Sequence, residues 1–315
     1  MSGPNNSARP GVFITGGAGF IGSHLVRALL ARGERVTVFD DLSVGRAQAL
    51  PAGATLVVGN VSDLAALERA LPGHDRIVHL AARVAIRSSF DFAVEDTLVN
   101  VVGTAAVMRA AAKVGGVRRV VAASSMAIYA DHSAPDPIDE RHPTRPLSPY
   151  GISKLALEQL VHGMANAAGC SSAVLRFFNT YGPGQALSPY VGAVTIFTNA
   201  LRAGQTPTVF GDGEQCRDFV HVADIVAACV LALDASVSGQ TANVGTGIAT
   251  SINRVVELIQ QTLGTRIAPL HAPSVPGELR YSIANIGQAQ RLYGYAPQHR
   301  LEDSLPMVVR EIAGL

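Results

Sequence analysis

Lysine and tryptophan are almost missing from this chain of 315 residues. Tryptophan does not occur, and only Lys113 and Lys154 are lysines, so arginine supplies 23 of the 25 cationic side chains. The formal net charge is +1, and no basic run or stripe is present. Nucleic acid and acidic lipid are therefore disfavoured as partners, because surfaces that bind them carry clustered positive charge. A small or neutral partner is favoured instead.

Cysteine and long apolar runs are scarce as well. Cys170, Cys216 and Cys229 are an odd number without paired spacing, which indicates reduced thiols rather than a disulfide framework or a metal site. No apolar run reaches the length of about 18 residues that a membrane span needs. Residues 1–10 are polar and lack the apolar core of a signal peptide. We expect a disordered leader over 1–10, no membrane segment and a cytoplasmic location.

The first organised segment combines a strand, a glycine turn and a helix. A β-branched and aromatic run at 12–15 precedes the glycine-rich turn 16–22, and a second strand at 35–39 ends at Asp40. In this context the glycines let the backbone approach a pyrophosphate at the amino end of the helix. Asp40 lies at the usual distance of about 20 residues, where a carboxylate accepts hydrogen bonds from ribose hydroxyls and repels a 2′-phosphate. The unit predicts NAD rather than NADP, and Arg46 is the one nearby cation that could accept that phosphate.

Strands and helices continue to alternate along the first half of the chain. Predicted strands lie at 55–58, 77–80, 119–123 and 173–177, and predicted helices at 64–71, 100–113 and 150–168. This alternation indicates an α/β fold with a Rossmann-type doubly wound parallel sheet, in which ligands bind beyond the carboxyl ends of the strands.

Tyr150 and Lys154 open one of these helices and share one of its faces, since they are four residues apart. A phenol with an ordinary pKa of about 10 is a poor base at neutral pH, and a nearby ammonium and a cationic nicotinamide favour its phenolate. Lys154 can also donate to the nicotinamide ribose, which suits a compact ammonium better than a guanidinium. An exposed helix pair is the ordinary explanation, but the scarcity of lysine favours a functional one. Ser125 is a candidate proton relay, although a serine after a strand is more often a turn or cap residue.

Together these residues resemble the extended short-chain dehydrogenase/reductases of the nucleotide-sugar epimerase/dehydratase family. The resemblance covers nearly the whole chain and extends to the bacterial UDP-glucose and UDP-N-acetylglucosamine 4-epimerases of this family. The matching motifs are TGGAGFIG (15–22), HLAA (79–82), NVVGT (100–104), SSMAIY (124–129), YGISK (150–154), LRFFNTYGPG (175–184), GDGEQCRDFVHVAD (211–224), NVGTG (243–247) and PGELR (276–280).

The resemblance implies a role for each matching residue. Tyr150 is the implied base, Lys154 its partner and Ser125 the proton relay. The implied cofactor contacts are Gly16, Gly19, Phe20, Ile21, Gly22, Asp40, Asp41, Asn60, Val61, Leu80, Ala81, Ala82, Asn100, Tyr150 and Lys154. Asn60 stands at the implied adenine contact, where the family usually has Asp.

Substrate contacts follow from the same resemblance. They are Arg87, Ser125, Met126, Asn179, Gln185, Phe210, Arg217, Glu278, Arg280 and Ser282. Asn179, Arg217 and Arg280 are expected at the substrate diphosphate, where an arginine fork pairs well with phosphate oxygens. Glu278 is expected at the uridine ribose and Phe210 at the base. For Asp218 and His221 we expect a structural network.

The reaction implied is a 4-epimerisation through a 4-keto sugar. Family dehydratases place Asp-Glu directly after the relay serine, whereas this chain has Met126 and Ala127 there. Ser282, four residues after Glu278, is small and leaves room for an N-acetyl group. Gln185 and Met126 favour a neutral sugar, while Arg87 keeps a UDP-glucuronate 4-epimerase open as an alternative. A nucleotide-sugar dehydratase or oxidoreductase and a non-catalytic NAD-sensing protein are further alternatives.

Length suggests about two domains. We predict an NAD-binding domain over 11–178 and about 221–249, and a smaller substrate-binding domain over about 179–220 and 250–315. The helices at 100–113 and 150–168 have alanine- and leucine-rich faces. By resemblance they pair with a second subunit as a four-helix bundle, which predicts a homodimer, although their alanines equally suit an intramolecular core.

Overall fold

The computed structural model describes residues 11–84, 86, 88–132, 134–185, 192–274 and 279–315. The predicted leader 1–10 and two predicted substrate contacts, Arg87 and Glu278, lie outside these residues. The strands are β1 (Gly11–Thr15), β2 (Val36–Asp40), β3 (Thr55–Val58), β4 (His74–His79), β5 (Arg119–Ser125), β6 (Ser171–Phe177), β7 (Asn179–Tyr181), β8 (Thr208–Phe210), β9 (Cys216–Arg217), β10 (Phe219–His221), β11 (Gln240–Val244), β12 (Thr250–Ser251), β13 (Leu270–Ala272) and β14 (Tyr281–Ser282). The α-helices are α1 (Phe20–Ala31), α2 (Leu64–Ala70), α3 (Ala93–Thr97), α4 (Gly103–Val114), α5 (Pro149–Ala167), α6 (Ala193–Arg202), α7 (Val222–Asp234), α8 (Ile252–Leu263), α9 (Gly287–Tyr293) and α10 (Leu301–Ala313).

A seven-stranded sheet in the order β11-β6-β5-β4-β1-β2-β3 forms the centre of the molecule, and all its pairs are parallel. Every residue of β1 and β2 is buried, as expected for strands covered by helices on both faces. The predicted doubly wound sheet is confirmed. The strand order reverses between β1 and β4, and ligands of such sheets bind at this reversal.

Two apolar clusters cover the two faces of the sheet. One includes Leu25 of α1 and Ile225 of α7, and the other includes Val107 of α4 and Leu157 of α5. The helix predicted at 100–113 is the second part of a longer helical span. This span consists of α3, a π-helical turn at Leu98–Val102, and α4, so it begins at Ala93 rather than at residue 100. This turn rotates the chain just ahead of α4 and places Asn100 in the protein interior.

The second half of the chain builds three small sheets beside the central one, in the orders β10-β7, β12-β9-β14 and β13-β8. Helices α6, α8 and α10 pack against these strands around a third apolar cluster. Strand β11 returns to the edge of the central sheet beside β6. The division into two domains stays a prediction. It assigns residues of about 221–249 to the NAD-binding domain, and β11 of this segment does pair with β6 of the central sheet.

The helical span Ala93–Val114 has the length and composition that would allow it to cross a membrane. Core helices of soluble proteins meet the same criterion, and this span packs beside α2 and α5. Its exposed apolar residues include Leu98 and Val102.

Candidate active site

The glycine turn between β1 and α1 is shaped by close backbone approach. Gly16 has φ +71°, and a Cβ there would lie 2.6 Å from the amide nitrogen of Ala81. A Cβ on Gly22 would overlap the carbonyl oxygen of Gly16, whereas at Gly19 it would meet only that oxygen, at 3.3 Å. Helix α1 begins after Gly19 without a side-chain cap. Its first amides, including those of Phe20 and Ile21, are thus offered to an anion, and the turn fits a pyrophosphate.

Asp40 is fixed at the end of β2 by two backbone amides. Its Oδ2 accepts from Ala18 and its Oδ1 from Leu42, both at 2.9 Å. Burial and the neighbouring charge of Asp41 raise the pKa of Asp40, and the two backbone hydrogen bonds oppose this shift. Each carboxylate oxygen keeps a second lone pair for a ribose hydroxyl. The side chain is therefore oriented as the prediction for a dinucleotide ribose requires.

The contacts of Asn60 explain why asparagine stands at this position, where the family usually has aspartate. Its Nδ2 donates to Oδ2 of Asp41 at 3.1 Å, and its Oδ1 accepts from the backbone and the hydroxyl of Ser62. An aspartate at this position would face the Asp41 carboxylate and repel it. The amide thus ties the loop after β3 to the loop after β2 without adding a third carboxylate. The neighbouring Val61 is buried.

These contacts predict a strong preference for NAD over NADP. A 2′-phosphate would meet the carboxylates of Asp40 and Asp41, so we expect NADP to bind at least about 100-fold more weakly, which corresponds to about 2.8 kcal/mol. Calorimetric titration of the protein with each nucleotide measures the ratio. In the Asp40→Asn variant the ratio of the two affinities should become smaller, because the variant binds NAD more weakly and NADP more tightly than the wild type. Equal affinities in the wild-type protein would contradict the assignment of Asp40.

Residues 80–82 follow β4 at the reversal of strand order, with His79 below them. The His79 ring is buried between the hydroxyls of Thr15, at 2.6 Å, and Thr104, at 2.9 Å. Burial lowers the pKa of His79 to about 3, and the charge of Lys154 acts in the same direction. His79 is therefore a neutral support for the loop of Leu80, Ala81 and Ala82, which are half-buried and open to a ligand.

The Asn100 side chain bonds to other residues of the protein, and its contact with the cofactor stays a prediction. Its side chain is fully buried, its Oδ1 accepts from the backbone of Arg83 at 2.9 Å, and its Nδ2 donates to the Arg83 carbonyl and to Ser153. The Ser153 hydroxyl in turn donates to the carbonyl of Tyr150 at 2.7 Å. Asn100 thus connects the loop after β4 to the start of α5 through protein contacts, because the π-helical turn points it inward.

Ser125, Tyr150 and Lys154 come together between the end of β5 and the first turns of α5. The Ser125 hydroxyl lies near that of Tyr150, whose pKa it lowers, and it accepts from the amide of Ala127 at 3.2 Å. The Lys154 Nζ donates to the carbonyl of Ala123 at 2.9 Å and lies 6.0 Å from the centre of the Tyr150 ring. All three side chains are buried. Helix α5 is positioned by Ser148, which caps it by accepting from the amide of Gly151.

Burial opposes the charged forms of both titratable groups in this triad. It raises the pKa of Tyr150 to about 12, although the neighbouring Ser125 hydroxyl acts in the other direction. It lowers the pKa of Lys154 to about 8, against the influence of Glu158. A phenolate forms in such a dry site only beside positive charge. The geometry therefore fits a tyrosine base that requires a protonated Lys154 and a cationic ring next to it.

The predicted substrate contacts occupy different environments. Asn179, on β7, has a buried amide oxygen with no hydrogen-bond partner in the part of the chain that the structure describes, so it is available to a ligand. Arg280 is partly exposed and forms a bidentate pair with Asp212, at 2.7 and 2.9 Å. This pairing lowers the pKa of Asp212 to about 2. The Arg280 guanidinium can reach a diphosphate by exchanging this carboxylate for phosphate oxygens.

Arg217 and Ser282 are less accessible than the sequence suggests. They lie side by side in the paired strands β9 and β14. The Arg217 guanidinium is buried and donates to the carbonyl of Cys216 at 2.9 Å. Ser282 has no exposed surface, so the structure does not bring its side chain to an open face. The Ser282 hydroxyl, like the amide oxygen of Asn179, has no hydrogen-bond partner among the described residues, and its contact with the sugar stays a prediction.

The remaining predicted substrate residues within the described part of the chain are buried or half-buried. Met126 is buried directly after Ser125, and Gln185 is half-buried, accepting from the hydroxyl of Thr195 at 2.9 Å. Phe210 ends β8 and is half-buried. Their roles stay predictions.

Asp218 and His221 form the structural network that the sequence analysis expects. The Asp218 carboxylate accepts from the backbone and hydroxyl of Thr246 and from the amides of Gly247 and Ala284. His221 caps α7, its Nδ1 accepting from Ala223 at 3.2 Å. This prediction is confirmed.

Two ion pairs at the site were not predicted. Arg83 donates to Asp96 at 2.9 Å beside Tyr150, and Arg176 pairs with Glu158 behind Lys154. Both join residues of separate elements. The one available signal was the position of Glu158, four residues after Lys154 and hence on the same helix face.

Comparisons with known proteins agree with this geometry. A family model described as the NAD dependent epimerase/dehydratase family matches residues 12–245. The UDP-glucose 4-epimerase of Mycolicibacterium smegmatis is 36% identical over 306 residues, which are 94% of this chain and 96% of that protein. The structure of UDP-glucose 4-epimerase from Thermotoga maritima with UDP-glucose has a TM-score of 0.92 at 33% identity, covering 96% of this chain and 99% of that one.

A third similar protein is the UDP-glucuronic acid 4-epimerase of Bacillus cereus. Its structure in complex with UDP-4-deoxy-4-fluoro-glucuronic acid and NAD has a TM-score of 0.88 at 27% identity, covering 96% of this chain and 99% of that one. The glycine turn, the ribose carboxylate and the buried triad fit the dinucleotide that the family uses. The chain belongs to the NAD dependent epimerase/dehydratase family, and its cofactor is NAD.

Proposed function

We propose that this protein interconverts UDP-hexoses that differ in configuration at C4. The observation that carries the proposal is the buried triad of Ser125, Tyr150 and Lys154, followed by Met126 and Ala127. The triad supplies one acid–base group, which suffices for oxidation and reduction at a single carbon. Elimination of water requires a further carboxylate, and the two residues after the relay serine provide none. A 4-epimerase is thus favoured over a dehydratase.

The residues of the chain act as follows. NAD, when bound, supplies the hydride acceptor and the positive ring. Tyr150 accepts the proton of the C4 hydroxyl and later returns it to the oxygen of the 4-keto sugar. Ser125 donates a hydrogen bond within the same proton path, and the ammonium of Lys154 stabilises the phenolate. All three groups are buried, so their charges and hydrogen bonds act in a medium of low dielectric constant.

The UDP-hexose is the substrate that the relatives support, since two of the three described above are UDP-glucose 4-epimerases. Asn179, Arg217 and Arg280 are the residues that we assign to the diphosphate. A neutral sugar is favoured because Met126 and Gln185 offer no positive charge to a carboxylate. UDP-glucuronate is the second candidate, and the similarity to the Bacillus cereus enzyme is the observation that favours it.

An assay with a panel of nucleotide sugars tests this function. We expect the same equilibrium mixture from UDP-glucose and UDP-galactose, with no net change in absorbance at 340 nm because NAD is regenerated in each cycle. UDP-N-acetylglucosamine and UDP-glucuronate complete the panel and separate the candidates. Conversion of UDP-glucuronate alone would replace the neutral-sugar assignment, stoichiometric formation of NADH would indicate an oxidoreductase, and no conversion of any sugar would refute the proposal.

The protein also presents a surface suited to a second copy of itself. Val94 of α3 is 69% exposed, and Leu98 and Val102 of the π-helical turn before α4 are 50% and 44% exposed. Ile152 on the neighbouring α5 is 57% exposed. Pairing two such surfaces would form the four-helix bundle that the sequence analysis expects, and would bury these side chains. We include a homodimer through this surface in the proposal.

Substitution of Leu98 tests the dimer. A glutamate there would be desolvated in the bundle, so we expect Leu98→Glu to be monomeric at micromolar concentration and the wild-type protein to be dimeric. Sedimentation velocity measures both. Ile196→Glu is the matched control, because Ile196 is 44% exposed on α6, away from the proposed bundle. A monomeric wild-type protein, or dissociation by both variants alike, would exclude this surface as the interface.

A further inference from the structure

The face of α5 that carries Tyr150 and Lys154 bears a third buried polar residue, Glu158, one turn further along the helix. Glu158 is 2% exposed, as is Lys154. Lys154 and Glu158 bond to the consecutive residues Ala123 and Ser124 of β5, and Tyr150 lies near Ser125, the next residue of that strand. The contact of Glu158 is a hydrogen bond of 2.5 Å that its Oε1 accepts from the Ser124 hydroxyl. Glu158 is thus fixed between α5 and β5, as Tyr150 and Lys154 are.

Glu158 lies between two buried cations. On one side is Lys154, four residues earlier on the same helix face. On the other side is Arg176 of β6, whose Nε and Nη2 donate to the two carboxylate oxygens at 2.9 and 2.8 Å. Arg176 is itself fixed, because its guanidinium lies 5.0 Å from the centre of the Tyr129 ring and donates to the Tyr129 hydroxyl at 2.8 Å. The charges therefore alternate as positive, negative, positive through the protein interior.

The other titratable groups around Lys154 do not balance its charge. Tyr150 on the same helix is a neutral phenol until it reacts. His79 of β4 is neutral, since burial lowers its pKa to about 3. Arg176 of β6 is positive. Asp96 of α3 is a second buried carboxylate near Tyr150, but it is paired with Arg83 at 2.9 Å. Glu158 is the anion that acts on Lys154.

We propose that Glu158 is a positioning residue that keeps Lys154 protonated and thereby sets the upper pH limit at which the triad works. Without its carboxylate, two cations would face each other in a dry interior. Arginine does not release its proton in proteins, so Lys154 would become the neutral partner. A neutral amine cannot stabilise the phenolate of Tyr150, even though it still fits the same space. This inference rests on the proposed function only in the role given to Lys154.

The scarcity of lysine provides a direct measurement of this effect. Protein labelled with ¹³C and ¹⁵N at the ε position of lysine gives two side-chain signals, from Lys113 and Lys154. Lys113 is an internal reference, because its side chain is 65% exposed. In cofactor-free wild-type protein we expect Lys154 to titrate with a pKa of about 8. In Glu158→Gln the midpoint should fall by at least about one pH unit.

A second variant, which removes the cation of Arg176, tests the same proposal independently of Glu158→Gln. In Arg176→Met, Glu158 faces Lys154 alone, so the Lys154 midpoint should rise above the wild-type value. In the double variant Glu158→Gln/Arg176→Met it should return toward the wild type. Glu140→Gln is the matched control, because Glu140 accepts from the amide of Asn243 at the far end of the same network and should leave the midpoint unchanged.

The outcomes separate an electrostatic role from a structural one. A structural role would lower thermal stability in the variants without moving the Lys154 midpoint, and that result would overturn the proposal. Opposite shifts in Glu158→Gln and Arg176→Met support it. The NMR titration needs no substrate, so a failed epimerase assay would leave this test intact. In an active wild-type protein, the alkaline limb of kcat should move with the midpoint.

Discussion

Replacement of Tyr150 by phenylalanine is expected to lower kcat for UDP-hexose epimerisation by about 10³-fold, within the range found when a positioned acid–base group is removed. The ring would remain packed between β5 and α5, where Tyr150 is 6% exposed. Only the hydroxyl, which lies near the Ser125 side chain, is lost. NAD should therefore still bind, with an affinity within a few-fold of the wild type. Steady-state kinetics and a calorimetric NAD titration measure the two quantities separately.

Tyr295→Phe is the matched control for the loss of a buried hydroxyl. The Tyr295 hydroxyl donates to the carbonyl of Gly245 at 2.8 Å, away from the triad. Its removal should cost about 1 kcal/mol of stability, as is usual for a buried hydrogen bond, and leave kcat unchanged. If Tyr150→Phe kept kcat within tenfold of the wild type, another group would have to be the base.

The features that could be predicted from the sequence are those that depend on local spacing. The glycine turn and Asp40 follow from one strand–helix–strand unit, and the Tyr150–Lys154 pair follows from one helical turn. The parallel sheet follows from alternation along the chain. At these places the structure depends on interactions between residues that are close together in sequence, so the residue pattern alone predicts it.

The features that could not be predicted depend on contacts between distant segments. The pairing of Arg280 with Asp212, and the burial of Arg217 and Ser282 between β9 and β14, arise from strands that meet only in the folded chain. Asn100 lies inward because of the π-helical turn, which the helical pattern of residues does not reveal. Arginine-rich composition could not distinguish a ligand-binding guanidinium from a structural one.

The arginine bias of the chain also separates two kinds of cation site. Arg176 serves where a planar fork meets a carboxylate, and Arg280 where a fork meets Asp212 or a phosphate. Lys154 occupies the one site where a single point charge must fit beside a phenol and a backbone carbonyl. Lys113, the other lysine, is exposed, whereas Lys154 is buried, so we expect a steric and chemical requirement for lysine at residue 154 alone.

Replacement of Lys154 by arginine is accordingly expected to reduce kcat by about 10²-fold or more, although the formal charge is kept. The Lys154 side chain is 2% exposed, and its Nζ donates to the Ala123 carbonyl at 2.9 Å. The longer, planar guanidinium would collide with β5 or displace α5, and so would move Tyr150 away from Ser125. Overpacking of this kind typically costs about 1–3 kcal/mol of stability, which thermal unfolding measures alongside the kinetics.

Lys113→Arg is the matched substitution. Lys113 is exposed at the end of α4 and pairs with Glu68 at 2.6 Å, a contact that an arginine can also make. We expect this variant to retain wild-type kcat, NAD affinity and unfolding temperature. Lys154→Met then separates size from charge, because it fits the space of the lysine stem but removes the ammonium. Equal activity of Lys113→Arg and Lys154→Arg would show that a point charge is not required at residue 154, and activity of Lys154→Met near the wild-type level would remove Lys154 from the mechanism.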